Sequence, residues 1–137
     1  MKKKEKSAVF IGKRKKAIAR ATVKKGNGRI RINNTPLDNI EPRYKKMRIK
    51  EAVILAGDAM KEIDININVR GGGVWGQADA ARTALANALV KRVGESLRKV
   101  YMDYDKSLLV SDPRRTEPHK PSRSSAGPRR SKQQSKR

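Results

Sequence analysis

The chain has 137 residues with no cysteine and one histidine, and its 35 Lys and Arg against 13 Asp and Glu give a formal net charge of +22. Without cysteine there are no disulfides or thiolate metal sites, and the lone histidine lies in a polar stretch that does not favour a metal site. So large a charge would make a free protein repel itself, which favours nucleic acid as a partner over a solvated surface or a membrane.

The positive charge is concentrated at the two ends of the chain. Residues 1–25 carry a net charge of +10 and residues 113–137 carry +8, whereas the 87 residues between them carry only +4. We therefore predict a single globular domain over residues 1–112 with a basic start, followed by an extended basic tail over residues 113–137. The tail has no apolar area to offset the ordering of its backbone, so we expect it to order against a polyanion. No apolar run reaches the length of a secretory signal or a membrane span, and we expect a cytoplasmic protein.

The first third of the chain predicts three strands and the start of a helix. A brief apolar run predicts a strand near 7–12, and alternating apolar and polar residues predict strands near 17–24 and 28–32. Gly26-Asn27-Gly28 suits the tight turn of an antiparallel hairpin between the last two strands. A helix is predicted from near Arg43. Its first turns carry several lysines and arginines, which oppose the helix dipole and indicate either an external anion or a solvated face.

The second half of the globular part predicts one strand and two helices. Residues 63–70 alternate apolar and polar side chains over eight positions, which is typical of a strand with one buried face. Three glycines at 71–73 end it, and an alanine-rich helix follows over about 75–93, with a shorter helix over 95–104. The order β-β-β-α-β-α-α predicts an α+β fold with one sheet and its helices on one side.

The segment from Gly71 to Gly76 formally satisfies the G-x-G-x-x-G pattern of dinucleotide-binding proteins. A second βαβ unit does not fit into the rest of the chain, so we set dinucleotide binding aside. A glycine-rich turn at a helix start can also present free backbone N–H groups to a phosphate, with Arg70 and Arg82 as reinforcement. The simpler alternative is a turn that only needs positive φ.

Catalysis and base stacking find little support in the sequence. The chain has no G-x-S-x-G element and too few nucleophiles and bases to pair, so we expect no enzymatic activity and no cofactor. The aromatic residues do not include the paired strand aromatics of base-stacking modules, and Trp75 is interpreted as a packing residue. RNA recognition would then depend on phosphates and shape.

Residues 71–89, GGGVWGQADAARTALANAL, closely resemble the G-G-G-x-x-G-Q-A-x-A-x-R-x-A-x-x-x-A-L stretch of the universal small-subunit ribosomal protein S-nine family. Three other pieces match the family in the same order: Gly12-Lys13-Arg14-Lys15 with Ala17 onward, Asp112-Pro113-Arg114, and the terminal Ser135-Lys136-Arg137. The tail segment Glu117-Pro118-His119-Lys120-Pro121 is similar to the archaeal and eukaryotic branch, and the K-x-G ending of bacterial members is absent.

The resemblance implies a four-stranded sheet with helices on one face and a left-handed βαβ crossover, as in the second domain of ribosomal protein S-five, although most such crossovers are right-handed. It also implies a structural role in the head of the small ribosomal subunit, on small-subunit ribosomal RNA (rRNA) and beside neighbouring head proteins, with no homo-oligomer. The family's C-terminal tail reaches the anticodon stem-loop of peptidyl-site transfer RNA (tRNA), so the resemblance makes Ser135, Lys136 and Arg137 candidate tRNA contacts.

The alternative is an RNA-processing protein similar to the protein subunit of ribonuclease P, which would concentrate recognition in a basic helix and not in a long arm. If the chain is a small-subunit ribosomal protein, the candidate rRNA contacts are basic and glycine-rich positions of the globular part and the tail. They are Lys13, Arg14, Lys15, Lys16, Arg20, Arg43, Lys45, Lys46, Arg70, Gly71, Gly72, Gly73, Gln77, Arg82, Arg114, Arg115, Lys120, Arg123, Arg129, Arg130 and Lys132.

Overall fold

The fold is α+β, with one mixed five-stranded sheet and three α-helices. The structure is a computed structural model that describes residues 7–118. Its elements in chain order are β1 (Val9–Arg14), β2 (Ala17–Lys25), β3 (Ile30–Ile32), β4 (Thr35–Pro36), α1 (Arg43–Ala56), β5 (Ile63–Arg70), α2 (Val74–Val93) and α3 (Glu95–Tyr104). Short 3-10 turns lie at Leu37–Asn39 before α1, at Gly57–Glu62 after α1, and at Lys106–Leu108 after α3. The predicted strands and helices are therefore present, and β4 and the 3-10 turns add to them.

The strands are ordered β1-β2-β5-β3-β4 across the sheet. β5 is antiparallel to β2 and parallel to β3, so α1 is the crossover of a parallel β3–α1–β5 unit. The fifth strand, β4, has two residues and pairs only with β3. The prediction of a four-stranded sheet is thus close to the observed one, which adds a short edge strand.

The predicted hairpin between β2 and β3 is wrong, because β5 lies between these two strands. The glycine-rich segment that suits a tight turn wraps instead around Asp64 of β5. The Asp64 carboxylate accepts hydrogen bonds from the backbone N–H groups of Asn27 and Arg29, both at 2.9 Å. These bonds hold the pKa of Asp64 below its usual range. Residues 26–29 therefore form a wide connection that leaves room for a strand between its ends.

The tight hairpin of the fold joins β1 to β2 through the two-residue turn Lys15–Lys16. Lys15 has φ of 52°, in the left-handed region that L residues other than Asn and Asp seldom adopt. Neither lysine is a typical turn residue, so nothing in the local pattern indicates a hairpin here. The turn nonetheless presents two cations at one end of the sheet.

The core lies between one face of the sheet and α2. Ala17, Ala19 and Ala21 of β2 are fully buried, and their small side chains let the helix approach the sheet closely. Gly12 of β1 has the same role, since a Cβ at that position would overlap the backbone of α2 at Ala80. Almost every residue of α2 from 78 to 89 is buried, which makes it the central helix of the domain.

The two longest helices, α1 and α2, run side by side in the same direction. Successive contacts advance along both helices together: Tyr44 with Trp75, Lys45 with Gln77, Arg48 with Asp79, and Glu51 with Arg82. Both N-termini therefore lie at the same end of the domain. The opposite face of the sheet carries no helix from the described residues, and its side chains, among them Arg20, Arg31 and Asn68, are exposed.

Candidate nucleic-acid interface

The turn between β1 and β2, the glycine turn before α2 and the first turns of α1 and α2 meet at one end of the molecule. Gln77 connects two of these segments, because its Nε2 donates to the Gly71 carbonyl at 3.2 Å and its Oε1 accepts from Lys45 Nζ at 3.1 Å. A Cβ on Gly71 would lie 2.6 Å from the Lys16 carbonyl oxygen, so the glycine turn is pressed against the hairpin turn. We call this surface, Lys15–Lys16, Arg43–Lys46 and Arg70–Gln77, the basic end.

The glycines at 71 and 72 are required by backbone conformation as well as by space. Their φ angles are 75° and 67°, and a Cβ on Gly72 would lie 3.0 Å from Ala17. The alternative of a turn that needs positive φ is thus correct for both residues. It does not exclude an anion contact, because the same turn leads directly into the N-terminus of α2.

The basic end collects the positive ends of two helix dipoles. Neither α1 nor α2 has a side-chain cap or an acidic residue in its first turn. The first backbone N–H groups of a helix have no partner within the helix and attract an anion. The α1 start instead carries Arg43, Lys45 and Lys46, which are unfavourable beside the dipole. An external polyanion would satisfy both the N–H groups and these cations.

Four side chains at this end offer unpaired charge. Lys15, Lys16, Arg43 and Arg70 are exposed, and none of them forms an ion pair with any residue in 7–118. Lys45 differs from them, because partial burial lowers its pKa and its ammonium group is directed to Gln77. Lys46 donates to the Asp38 carbonyl at 3.0 Å. Among the described residues of the basic end, these four unpaired cations are therefore the best candidates for phosphate contacts.

The basic end continues onto the open face of the sheet. The strand register places Lys13 opposite Ile18, and Ile18 opposite Arg70, so these three side chains form one row. Arg20 lies in the next row, opposite Asn68. Both Lys13 and Arg20 are exposed. Three of the sequence-predicted contacts, Lys13, Arg20 and Arg70, are therefore neighbours on one surface.

Arg82 does not belong to this surface, which corrects the prediction that it reinforces a phosphate site. It is 1% exposed and lies between α1 and the segment after α3. Its Nη1 pairs with Glu51 Oε2 at 2.8 Å, and its Nη2 donates to Ser107 Oγ at 3.0 Å and lies 3.6 Å from Asp105. Burial opposes ionisation of Asp105, but hydrogen bonds from Ser107 and the charge of Arg82 outweigh it and lower its pKa. The arginine in the G-Q-A-x-A-x-R pattern is thus an internal ion-pair partner.

Arg14 and Arg114 also form ion pairs with a carboxylate of the chain, although the Arg114 side chain remains 78% exposed. The Asp112 carboxylate accepts from Arg114 Nε at 3.0 Å and Nη2 at 2.7 Å, and Arg14 Nη1 lies 3.1 Å from the same carboxylate. The bonds from Arg114 hold the pKa of Asp112 well below its usual range, and Arg14 adds to the effect. We call this cluster of three residues the tail anchor, because it fixes residues 112–114 to the end of β1. Arg115, directly after it, is exposed.

Two aromatic residues form a surface feature of the basic end that sequence reasoning missed. Tyr44 and Trp75 stack with ring centroids 4.5 Å apart and an interplanar angle of 21°. Trp75 was interpreted from the sequence as a packing residue; it stacks on Tyr44, but 56% of it remains exposed. The sequence carries no signal for this pair, because the two residues are 31 positions apart and meet only through the parallel packing of α1 and α2.

The remaining predicted contacts lie outside the described residues. They are Lys120, Arg123, Arg129, Arg130 and Lys132 for rRNA, and Ser135, Lys136 and Arg137 for tRNA. Within residues 7–118, no group of His, Asp or Glu is arranged to hold a metal ion. No helix in the same range has the length and apolar character needed to cross a membrane.

Comparison with known proteins agrees with the resemblance seen in the sequence. The pattern of the family "Ribosomal protein S9/S16" matches residues 12–137. The small ribosomal subunit protein uS9 of Methanococcus maripaludis is 56% identical over 126 residues, 91% of this chain and 94% of that protein. The uS9 proteins of Methanococcus vannielii and Methanothrix thermoacetophila are 54% and 53% identical, over 91% and 80% of this chain and 94% and 83% of their own lengths. A match of this extent shows that the chain belongs to the ribosomal protein S9/S16 family.

Proposed function

We propose that this protein is a structural constituent of the small ribosomal subunit and binds small-subunit rRNA through its basic end. The observation that carries the proposal is the convergence of two uncapped helix N-termini with four unpaired cations on one surface of the described residues. The matched relatives are small ribosomal subunit proteins by name. Nothing in the comparisons supports the alternative of a ribonuclease P-like subunit.

The mechanism is charge neutralisation at a rigid surface. Phosphates of the RNA lie against the free N–H groups of α1 and α2, where the dipoles favour negative charge. Lys15 and Lys16 contact further phosphates as compact charges, while the planar guanidinium groups of Arg43 and Arg70 can each pair with two phosphate oxygens. Binding releases condensed counterions, so the affinity falls steeply as salt rises. RNA helices that would repel each other can then pack on either side of the protein.

The tail would add a contact with a second RNA, the peptidyl-site tRNA. Residues 113–137 span roughly 80 Å when extended, at about 3.3 Å per residue. The tail anchor sets the point from which they leave the domain, beside the end of β1. In this proposal the tail follows rRNA, and Ser135, Lys136 and Arg137 contact the anticodon stem-loop of peptidyl-site tRNA. Removing Lys136 and Arg137 should leave subunit assembly intact and loosen peptidyl-site tRNA.

The proposal also includes the location of the protein, the handedness of its crossover and its domain bounds. The protein acts in the cytoplasm as part of the head of the small subunit, beside other head proteins, and has no catalytic activity. The family resemblance assigns a left-handed crossover to the βαβ unit, which in this chain is β3–α1–β5. Residues 1–112 form the globular domain and residues 113–137 the RNA-bound tail.

A salt titration with two matched triple variants tests the interface. In the first variant Lys16, Arg43 and Arg70 are replaced by Gln, and in the control Lys91, Arg92 and Lys99 are replaced by Gln. The control cations are also exposed and without ion pairs in residues 7–118. Lys91 and Arg92 lie in the last turn of α2, about 25 Å along the helix from its first residue, and Lys99 lies on α3. Each variant replaces three cations by neutral residues, so the two lose the same net charge.

We expect the first variant to bind an rRNA transcript more weakly and with a salt slope smaller by about 2 to 3 units, roughly one for each phosphate that it no longer neutralises. The salt slope of the control should fall by less than about one unit. Equal decreases in the two variants would show that the RNA responds to net charge alone, and the proposed interface would be wrong.

A further inference from the structure

The stacked pair Tyr44–Trp75 is an exposed aromatic surface that phosphate binding does not use. The two rings remain 43% and 56% exposed although each covers one face of the other. A chain with five aromatic residues thus places two of them together in solvent. Large aromatic rings usually bury most of their area, and an exposed cluster of them marks an interaction surface.

The helix packing holds this pair in place. Tyr44 is the second residue of α1 and Trp75 is the second residue of α2. Directly behind the stack, Lys45 bonds to Gln77 and Arg48 Nε donates to Asp79 Oδ1 at 2.9 Å, which fixes one helix against the other. The rings are therefore preorganised, so little conformational freedom is lost when a ligand stacks on them.

The charges around the pair indicate what the ligand is. Arg43 precedes Tyr44 in the chain, and Arg70 precedes the glycine turn that leads to Trp75. Both arginines are exposed, and neither is in an ion pair with residues 7–118. A flat aromatic face with cations beside it suits a nucleotide, whose base stacks while its phosphate meets the cations. An apolar protein segment could pack on the rings, but it would provide no negative charge for the two arginines.

We propose that Tyr44 and Trp75 form a platform on which an unpaired base of the bound RNA stacks. The inference depends on the proposed function, because it assumes that RNA lies against the basic end. It adds to that function a contact with a base where the sequence indicated contacts with phosphates and shape only. Such a contact would direct the protein to a loop or bulge, because a base in a continuous duplex cannot stack on a side chain.

The chain has a single tryptophan, so its fluorescence reports on this position alone. We would titrate the full-length protein with three probes: a small-subunit rRNA transcript, an octamer of adenylate, and inorganic polyphosphate. Stacking of a base on the indole quenches its emission. We expect quenching by the transcript and by the octamer, whereas polyphosphate should compete for the protein without quenching it. Equal quenching by polyphosphate would show that charge alone perturbs Trp75, and the platform would be refuted.

Two leucine variants separate stacking from the loss of apolar area. Trp75→Leu removes the platform, and Tyr104→Leu is the control because Tyr104 on α3 is also 56% exposed. We expect Trp75→Leu to bind the transcript about tenfold more weakly, which corresponds to about 1.4 kcal/mol, and Tyr104→Leu to bind like the parent. Trp75→Phe keeps an aromatic face and should recover most of the affinity.

The same data distinguish failure of this inference from failure of the proposed function. If the transcript binds tightly, emission stays constant and Trp75→Leu matches Tyr104→Leu, the protein still binds rRNA but the aromatic pair does not contact a base. If the parent protein does not prefer the transcript to polyphosphate at matched salt, the proposed function itself fails. A variant that unfolds would lose the circular dichroism of its helices, and Trp75→Phe then provides the comparison.

Discussion

Replacing Arg82 by Met tests whether this arginine is an internal ion-pair partner or an RNA contact. Met keeps much of the aliphatic stem and removes the guanidinium group, which makes a 2.8 Å ion pair with Glu51 and a 3.0 Å hydrogen bond to Ser107. Hydrogen bonds to charged groups contribute about 1.5 to 3 kcal/mol each, and breaking a buried ion pair costs about 3 to 5 kcal/mol.

Two features of the site place the cost for Arg82→Met at the lower end of this range. The side chains of Glu51 and Asp105 are 30% and 36% exposed, so water can solvate both carboxylates once the arginine is gone. The Nε of Arg82 has no hydrogen-bond partner among the described residues, so its burial is already unfavourable in the parent protein. We therefore expect the free energy of unfolding to fall by about 2 to 3 kcal/mol.

Urea unfolding at neutral pH measures this loss, and a salt titration with the rRNA transcript provides the second measurement. The control is Arg98→Met, because Arg98 is exposed and its 3.5 Å pair with Glu95 should contribute less than about 0.5 kcal/mol. The salt slope of RNA binding should be the same in Arg82→Met and the parent. If stability were unchanged while the salt slope fell by about one unit, Arg82 would be a phosphate contact and the structural assignment would be wrong.

Three further predictions concern packing, the hairpin turn and acid stability. Gly12→Ala should lower the free energy of unfolding in urea by about 3 kcal/mol, because its methyl group meets the α2 backbone. Gly73→Ala has open space around it and should lower the free energy of unfolding by about 1 kcal/mol or less, the cost of alanine at the N-cap of α2. Similar values for the two variants would contradict the close contact of β1 with α2. Lys15→Asn should raise the free energy of unfolding by about 0.5 to 1 kcal/mol, since Asn tolerates positive φ, while Lys16→Asn removes the same charge without this gain. Both should weaken rRNA binding alike, and equal stabilities would refute strain at residue 15. Because the pKa of Asp112 is lowered in the folded protein, its carboxylate stabilises the fold above about pH 4, and this contribution is lost as the pH falls through the folded-state pKa. In urea titrations the deficit of Asp112→Asn should therefore be steady between about pH 5 and 7 and shrink below about pH 4, and a deficit independent of pH would contradict the ion pair.

Local pattern was sufficient to predict the three α-helices and every strand except the two-residue β4. The alternation over residues 63–70 predicts β5 with its observed bounds, since period two reflects one buried face. The alanine-rich segment predicted as a helix over about 75–93 is α2, and almost all of its residues from 78 to 89 are buried. The lysines and arginines in the first turns of α1 also indicated the basic end. Their unfavourable position beside the helix dipole can be recognised from the local sequence alone.

The pairing of the strands could not be predicted because it depends on contacts distant in sequence. Gly26-Asn27-Gly28 has the composition of a hairpin turn, but the carboxylate of Asp64 organises it as a wide loop. The true hairpin turn, Lys15–Lys16, has no glycine or asparagine to mark it. Asp64 acquires this role only when β5 enters the sheet between β2 and β3.

The sequence predicted which residues of the candidate site are positively charged. It did not predict which of them pair with acidic residues of the chain. Composition identifies arginines, yet it does not separate those that face an external anion from those that face an internal acid. Arg70 is exposed and has no ion pair within residues 7–118, whereas Arg82 and Arg114 meet carboxylates of the chain itself. The Tyr44–Trp75 stack was missed for the same reason, since only helix packing brings the rings together.

Crosslinking in isolated small subunits tests most directly whether the basic end lies on rRNA. Ultraviolet irradiation of subunits that contain this protein, followed by digestion and mass spectrometry, identifies the peptides joined to rRNA. We expect crosslinks in peptides that contain residues 13–16, 43–46 and 70–77, and few in peptides from residues 91–106. Crosslinks confined to residues 91–106 would contradict the proposed interface.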